Sequence, residues 1–304
     1  MLMAKITVKV PASTANLGPG FDVLGMALNL YNTVTLEECD QKGWMIDVKG
    51  EGDNLIPRDS SNLIARTILY LLDKTDYQMK GFKLCLDNKI PFQSGLGSSA
   101  GAIVGGLVAA NALVGQPFSP DELLQMAVEI EGHPDNVAAA LFGGVVIVAQ
   151  NDNSLIYSRF VPQRGLKITA VIPDFCISTQ QARSVLPKKV PLSDAVYNMG
   201  HLALLITALR DGDWELLGAA LHDRLHQPYR CPLVPGLVDI MNVAREAGAY
   251  GVFLSGAGPT VIAFTPPRCD IGEVLADCFQ SQGITARVLQ LEPSITGASI
   301  VLEE

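Results

Sequence analysis

The chain has 304 residues, of which 48% are hydrophobic and 17% are charged, and its formal net charge is −9. This composition supports a sizeable core in one large or two ordinary domains and excludes an intrinsically disordered chain. The acidic balance disfavours a general nucleic-acid or anionic-membrane binder, because such proteins bind through basic surfaces.

Two further features concern the cellular compartment. The six cysteines are scattered without a CxxC pair, which predicts free thiols of a reducing compartment, not zinc ligands or a disulfide framework. The first residues, MLMAKITVKVP, lead directly into a strand pattern and lack the basic and long apolar segments of a signal peptide. We therefore expect a cytoplasmic protein.

Strand and helix patterns alternate in the first half of the chain. Alternating apolar residues predict strands, and helical spacing predicts three helices. The third helix has a clear start, because Ser119, Pro120 and Glu122 fit an N-cap, a first-turn proline and a capping box. The predicted strands are 5–10, 81–88 and 143–150, and the predicted helices are 61–74, 98–114 and 119–131.

The second half has the pattern of another α+β domain. The polar segment 150–154 predicts a hinge between two domains, at 1–155 and 156–304. The predicted strands are 166–173, 251–256, 260–264, 284–291 and 297–302, and the predicted helices are 193–210, 213–226, 236–247 and 271–283.

The segment PFQSGLGSSAG at 91–101 precedes an apolar run. That run, 101–115, would span about 22 Å as a helix, short of the roughly 30 Å of a bilayer core, so we expect a buried helix. If the helix begins at Ser98, its free N–H groups face the glycine-rich loop and can bind phosphate. Gly95 and Gly97 would permit the turn. The alternative is a loop that only caps a buried helix.

Three other stretches combine polar and small residues. VPASTANLGPGFDVLGMALNLYN (10–32) contains hydroxyl and amide donors and the carboxylate Asp22; the alternative is a long polar turn. FLSGAGPTVIAF (253–264) fits either a second wall of a ligand site or a simple hairpin.

The third stretch, EIEGHPDNVAAALFGG (129–144), places Glu131 at a helix C-terminus. The helix dipole disfavours an anion there, and a bound Mg²⁺ would compensate. Glu129 differs from Glu131 by about 200° around the helix, so only one of them can face a given site. For His133 a turn histidine satisfied by backbone is favoured over a metal ligand.

Together these motifs resemble those of the GHMP kinases, a superfamily of ATP-dependent small-molecule kinases. PFQSGLGSSAG resembles the phosphate loop of the superfamily. GHPDNVAAALFGG resembles its second motif, with Ala139 in place of the usual proline, and SGAGPTVIAF its third, with Ala257 in place of the usual serine. PASTANLGPGFDVLGMAL resembles the first motif of those members that phosphorylate homoserine. The matches cover about residues 5–265.

The resemblance implies a particular fold, which is the α+β, two-domain GHMP kinase fold. Its N-terminal domain resembles the second domain of ribosomal protein S5 and includes a left-handed βαβ crossover, an exception to the usual right-handed rule. Its C-terminal domain is ferredoxin-like. The active site is expected between the two domains.

The resemblance also implies the ligands of individual residues. Asn62 would contact adenine, and Ser98 and Glu131 would hold Mg²⁺, with Glu129 as the alternative to Glu131. The ATP phosphates would bind the loop formed by Pro91, Ser94, Gly95, Leu96, Gly97, Ser98, Ser99, Ala100 and Gly101. Homoserine would contact Asn16, Asp22, Asn136, Arg183 and Arg230.

These assignments are chemically consistent. Two arginines suit the α-carboxylate of homoserine, and Asp22 suits its ammonium group. Asn136 would orient the hydroxyl, but an amide cannot accept its proton, so we expect in-line transfer without a side-chain general base. Asn136, Ser98 and Glu131 are the expected catalytic residues.

The expected function is therefore ATP- and Mg²⁺-dependent phosphorylation of L-homoserine to O-phospho-L-homoserine in threonine biosynthesis. Two alternatives stay open: a kinase for another small alcohol of the mevalonate type, and a catalytically dead nucleotide-binding regulator. We expect a homodimer with no nucleic-acid or membrane partner.

Overall fold

The computed structural model describes residues 5–78, 81–151 and 154–301. The first part of the chain contains six strands and four helices. They are β1 (Lys5–Asn16), β2 (Gly20–Glu38), β3 (Gly43–Gly50), α1 (Leu63–Leu72), β4 (Gly81–Asn88), α2 (Ser98–Leu113), α3 (Pro120–Glu131), α4 (Asp135–Phe142), β5 (Val145–Asn151) and β6 (Ser154–Phe160).

The described second part of the chain contains five strands and six α-helices. They are β7 (Lys167–Pro173), α5 (Thr179–Ser184), α6 (Leu192–Asp211), α7 (Trp214–Ala220), α8 (Gln227–Arg230), α9 (Leu237–Glu246), β8 (Gly251–Leu254), β9 (Val261–Thr265), α10 (Gly272–Ser281), β10 (Ala286–Leu291) and β11 (Ser299–Val301).

The first sheet is built on the long antiparallel hairpin of β1 and β2. Its strand order is β11-β1-β2-β4-β3, and β5 pairs with the early part of β2 while β6 pairs with β5. β3 and β4 are parallel and are connected through α1, as expected for the βαβ unit of this fold, although the handedness of the crossover stays a prediction. The first motif lies on β1, β2 and the turn between them, and the second motif contains α4.

The second sheet has the order β10-β7-β9-β8, with every pair antiparallel. Its strands follow one another as strand, helices, strand, strand, helix, strand, which is the ferredoxin-like arrangement. The α+β fold class and its two domain types are therefore confirmed.

Close packing of α2 explains its small residues. A Cβ atom at Gly105 would lie 2.8 Å from Cγ2 of Val34, and one at Gly106 would lie 3.2 Å from Cβ of Thr67. Because α2 packs this closely on β2 and α1, it is a core helix as expected. Of the described helices, α6 alone is long and apolar enough to cross a membrane by length and composition, and 22% of its most apolar stretch is buried.

The structure differs from the sequence predictions in several elements. β3 and β6 were missed because their exposed faces weaken the apolar pattern. β1 and β2 extend through much of the stretch expected to be a loop. The helix predicted at 213–226 ends at Ala220, because the Asp223 carboxylate accepts hydrogen bonds from the backbone N–H groups of residues 225–227 and starts a new turn there.

The predicted hinge at 150–154 joins two paired strands, since Asn151 pairs with Ser154 across the β5–β6 hairpin. The first sheet also recruits β11, which pairs with β1. We therefore propose the domain boundary between β6 and β7, after residue 160 and not at 155, with β11 as a return of the chain to the first domain.

Candidate active site

A cavity of about 450 Å³ is lined by residues of all four motifs. Residues from both domains line it, including Asn62 and Ser98 from the first and Arg183 and Gly256 from the second. The expected site residues that line it are Asn16, Asp22, Asn62, Ser94, Gly95, Gly97, Ser98, Ser99, Gly101, Glu131, Asn136, Arg183 and Arg230.

The glycine-rich loop ends at the N-terminus of α2. Gly97 is the N-cap in a left-handed conformation, with φ of 71°, and Gly95 has φ of 89°. Three carbonyl oxygens of the loop accept hydrogen bonds from outside it: Ser94 O from Thr260 N at 3.2 Å, Gly95 O from Ser255 Oγ at 2.7 Å, and Leu96 O from Ser13 N at 3.1 Å. The carbonyls are thus held by the protein, while the first N–H groups of α2 lack helical acceptors and lie beside the cavity.

Three residues assigned to the loop do not line the cavity. Pro91, Leu96 and Ala100 are buried and lie beneath it. The side chain of Asn62 is also engaged, because it caps α1 by accepting from the N–H of Ile64 at 2.9 Å and donates to Pro57 O at 2.8 Å.

The C-terminus of α3 presents a largely buried carboxylate, with 12% of its side chain exposed, to the cavity. Glu131 Oε2 accepts a hydrogen bond from Ser99 Oγ at 2.7 Å, and Ser98, the other expected Mg²⁺ ligand, lines the same cavity. Burial raises the pKa of the Glu131 carboxyl, although this hydrogen bond and the charge of His133 act against the shift. Burial destabilises the charged form of this carboxylate, and a cation bound next to it would stabilise that form.

Glu129 points to a different surface. Its carboxylate accepts a hydrogen bond from the Tyr70 hydroxyl and another from Gln125 Nε2 at 3.3 Å, and it does not line the cavity. The geometry therefore favours Glu131 over Glu129 as a ligand of the cavity.

His133 lies between two acids at the rim of this site. Its Nδ1 is 3.2 Å from Asp135 Oδ1, and its Nε2 is 3.9 Å from Glu131 Oε1. Burial lowers the pKa of His133, but the hydrogen bond and charge of Asp135 together with Glu131 outweigh it, and the net shift is upward. His133 is thus held by side chains, not by backbone as the sequence suggested. Among the described residues, no cluster of three or more His, Cys, Asp or Glu groups forms a ready metal site.

Asn136 lies in the first turn of α4, close to the phosphate loop. Its Oδ1 accepts a hydrogen bond from Ser13 Oγ at 2.9 Å, and its backbone N–H donates to Asp135 Oδ1 at 2.7 Å. A Cβ atom at Gly97 would lie 3.2 Å from Asn136 Oδ1, which shows how near the amide is to the start of α2.

Asp22 and Arg183 form a two-pronged ion pair in the cavity. Arg183 NH1 donates to Asp22 Oδ2 at 2.9 Å, and NH2 donates to Oδ1 at 2.7 Å. The hydrogen bond to Asp22 raises the pKa of Arg183 above its ordinary value. The sequence predicted both residues at the site but assigned them to separate groups of a ligand, and it did not predict their contact with each other.

Arg230 is the most buried cation of the cavity, with 2% of its surface exposed. Its guanidinium donates to the carbonyl oxygens of Gly256 at 2.8 Å and Ala182 at 3.2 Å, and lies 3.3 Å from His226 Nδ1. None of these partners is a carboxylate. Burial, with the nearby charge of Arg183, lowers the pKa of Arg230 to about 10. A buried cation of this kind is stabilised by a bound anion.

Some lining residues were not predicted from the sequence. An apolar part of the cavity is formed by Val34, Ile56, Pro57, Leu63, Leu86 and Phe92, and the start of α5 contributes Ser178 and Thr179. Ordinary apolar residues give no sequence signal of a ligand site. Phe92 is the exception, because its position inside the phosphate-loop motif could have indicated that it lies at the ligand site.

Comparisons with known proteins agree with this geometry. Family models match residues 62–144, as GHMP kinases N terminal domain, and residues 205–284, as GHMP kinases C terminal. The chain is 45% identical over 295 residues to the homoserine kinase of Moorella thermoacetica, which covers 97% of this chain and 99% of the relative.

Solved structures give the same picture. The crystal structure of homoserine kinase from Cytophaga hutchinsonii matches with a TM-score of 0.89 at 33% identity, over 98% of this chain and 97% of that one. The mevalonate kinase of Methanococcus jannaschii matches with a TM-score of 0.70 over 95% of this chain and 98% of that one, but at 16% identity it shares the fold alone.

The fold and the cavity define a small-molecule kinase of the GHMP superfamily, and the chain belongs to the GHMP kinases. Within that superfamily it belongs to the homoserine kinase family, as its identity to relatives over nearly the whole chain shows.

Proposed function

We propose that this protein transfers the γ-phosphoryl group of ATP to the side-chain hydroxyl of L-homoserine and so forms O-phospho-L-homoserine for threonine biosynthesis. The observation that carries the proposal is the cavity itself. It joins an exposed helix N-terminus, which suits phosphate, to a buried guanidinium and an acid–arginine pair, which suit the two charges of an amino acid.

The nucleotide occupies the side of the cavity next to α1 and α2. Its phosphates meet the N–H groups at the start of α2 and the hydroxyls of Ser98 and Ser99, while its base lies on the apolar residues around Phe92 and Ile56. Asn62 caps α1 at this side of the cavity. Its side chain would contact the base while it keeps its hydrogen bonds to Pro57 O and Ile64 N.

The donor set fits a Mg²⁺ ion. Mg²⁺ is usually held by one or two carboxylates, with phosphate and water oxygens completing its shell. Glu131 provides a largely buried carboxylate next to the loop, and Ser98 lines the same cavity. A Mg²⁺ ion held there would neutralise phosphate charge, and the hydrogen bond from Ser99 Oγ orients the Glu131 carboxylate that would hold it.

The amino acid occupies the opposite side. Its α-carboxylate meets Arg230 and Arg183, and its ammonium group meets Asp22, with Asn16 beside it. Asn136, at the start of α4, orients the hydroxyl towards the phosphate loop. Because loose phosphoryl transfer relies mainly on positioning and charge neutralisation, these contacts suffice without a side-chain general base.

The two alternatives predict different products. A mevalonate-type kinase would phosphorylate a hydroxy acid without an ammonium group, and a dead regulator would bind ATP without turnover. The test is incubation with ATP and Mg²⁺ and, in turn, L-homoserine, mevalonate and 3-aminopropanol, with ADP release and product analysis as readouts. Efficient turnover of homoserine alone supports the proposal, turnover of mevalonate alone contradicts it, and no turnover indicates the regulator.

The proposal includes a cytoplasmic homodimer without nucleic-acid or membrane partners. Exposed apolar residues along one face of α6 support a protein partner, since Leu192 is 78%, Val196 55% and Met199 61% exposed. Their spacing of four and three residues places them on one side of the helix.

A further inference from the structure

A fully buried imidazole lies behind the amino-acid side of the cavity. The His226 side chain has no exposed surface, and it does not line the cavity. Its Nε2 is 2.7 Å from Gly18 O, and its Nδ1 is 3.3 Å from Arg230 NH1. No sequence motif and no step of the proposed reaction uses it.

The two partners fix the protonation state of this ring. A carbonyl oxygen can only accept, so Nε2 carries the proton that is donated to Gly18. A guanidinium can only donate, so Nδ1 has to be an unprotonated acceptor. His226 is therefore neutral and in the Nε2–H tautomer. An imidazolium would direct an N–H at Arg230 and place two cations side by side.

The surroundings maintain the neutral ring. Asp223 Oδ2 lies 3.6 Å from Nε2, the Phe21 ring stacks on the imidazole at 5.2 Å, and Asp22 and Arg230 are the other charged groups that face it. Burial lowers the pKa of His226, with Arg230 acting in the same direction and Asp223 against it.

The ring connects two parts of the amino-acid site that come from distant segments. On one side is the β1–β2 turn, where Asn16, Leu17 and Asp22 all have positive φ, a conformation that costs free energy for residues other than glycine. On the other side is Arg230. The carbonyl oxygen of Gly256 accepts from both Asn16 Nδ2, at 3.1 Å, and Arg230 NH1, at 2.8 Å, and closes the connection.

We propose that His226 is a positioning residue of the amino-acid site, which holds the turn bearing Asn16 and Asp22 at a fixed distance from the guanidinium of Arg230. The proposal depends on the proposed function, because it concerns the pocket for the amino-acid charges. His226 acts through its neighbours and does not contact the reacting atoms.

The first test uses kinetics. His226→Leu removes both hydrogen bonds, whereas the amide of His226→Gln can still donate towards Gly18. Losing the partner of a buried polar group predicts a rise of about tenfold or more in KM for homoserine in the leucine variant, a smaller rise in the glutamine variant, and little change in KM for ATP. His201→Gln is the control, because His201 Nδ1 donates its hydrogen bond to Tyr197 O within α6, and this change should leave all constants unchanged.

If His226→Leu raises KM for homoserine and KM for ATP equally, or leaves KM for homoserine unchanged, the positioning role is contradicted. If the parent protein does not turn over homoserine at all, the proposed function fails and not this inference. A second measurement is independent of activity and of whether the variants fold. The ¹⁵N spectrum of the labelled parent protein at neutral pH should show one histidine, assigned to His226 by its coupling across the hydrogen bond to Gly18, as a neutral Nε2–H tautomer. An Nδ1–H tautomer or an imidazolium would overturn the proposal.

Discussion

The guanidinium of Arg183 donates two parallel hydrogen bonds, of 2.9 and 2.7 Å, to the carboxylate of Asp22 on the amino-acid side of the cavity. Each of the two charges is therefore neutralised by the other. If a ligand with a single charge separates Asp22 from Arg183, it can neutralise only one of these two residues, and the other is left without a partner. A zwitterion such as homoserine supplies a new partner for each. The pair therefore favours ligands that carry both an ammonium and a carboxylate group.

The first prediction follows from this exchange. L-2-aminobutyrate, which lacks only the hydroxyl of homoserine, should compete with homoserine about tenfold more strongly than butyrate or propylamine, because a partly desolvated charge without a partner is costly. Inhibition constants against homoserine measure this. In Asp22→Asn the advantage over butyrate should shrink. Equal inhibition by all three compounds in the parent protein would show that the pair does not select for charge.

The second prediction concerns the metal ligand. Glu131→Gln should lower kcat steeply and raise the Mg²⁺ concentration needed for half-maximal activity, because the amide has lost the charge of the carboxylate. Glu129→Gln is the matched control, one half-turn away and bonded to Tyr70 and Gln125 outside the cavity. The measurement is activity titrated with Mg²⁺ at fixed ATP. If the two variants exchange behaviour, the assignment of Glu131 is wrong.

The third prediction concerns the absence of a general base. Asp135 is the carboxylate next to Asn136, and its Oδ1 is already an acceptor for His133 and for the Asn136 N–H. General-base catalysis typically contributes about 10²–10⁴-fold to a rate. We expect Asp135→Asn to lower kcat at saturating substrates by clearly less than that, through altered positioning of Asn136. A loss within the full range, with ATP and homoserine affinity retained, would identify Asp135 as the base.

The fourth prediction tests the homodimer. A glutamate at Met199 on the exposed apolar face of α6 should convert the dimer to a monomer, since burying an unpaired charge in an interface opposes association. Val238→Glu is the control, because Val238 is 56% exposed on α9, away from that face. Sedimentation velocity of the two variants decides. A monomeric parent protein, or a dimer that survives Met199→Glu, would contradict the proposed interface.

Much of the fold and of the site could be predicted from the sequence because the signals are local. The start of α3 is fixed by Ser119, Pro120 and Glu122, whose capping box is present as expected. The start of α2 at Ser98 and the left-handed glycines before it follow from the same kind of short-range rule. The topology came from the resemblance of motifs, since residue spacing alone does not order strands in a sheet.

The features that were missed depend on contacts between distant segments. The Asp22–Arg183 pair joins residues 161 positions apart, and the hydrogen bond from His226 to Gly18 joins residues 208 apart. Neither residue type nor local pattern encodes such a pairing. In the same way, the hydrogen bond from Ser99 to Glu131, which joins the first turn of α2 to the end of α3, was not predicted.

The central claim is that Arg230 binds the carboxylate of an amino-acid substrate, and Arg230→Leu tests it most directly. The variant should raise KM for homoserine at least about tenfold, because breaking a buried charge pair typically costs roughly 2–5 kcal/mol, and leave KM for ATP nearly unchanged. Arg230→Lys should restore binding only in part, since an ammonium lacks the planar fork of the guanidinium. The decisive measurement is kcat/KM of parent and Arg230→Leu with homoserine and with 3-aminopropanol, which lacks the carboxylate. We predict a large loss with homoserine and almost none with 3-aminopropanol; an equal loss with both would contradict the account.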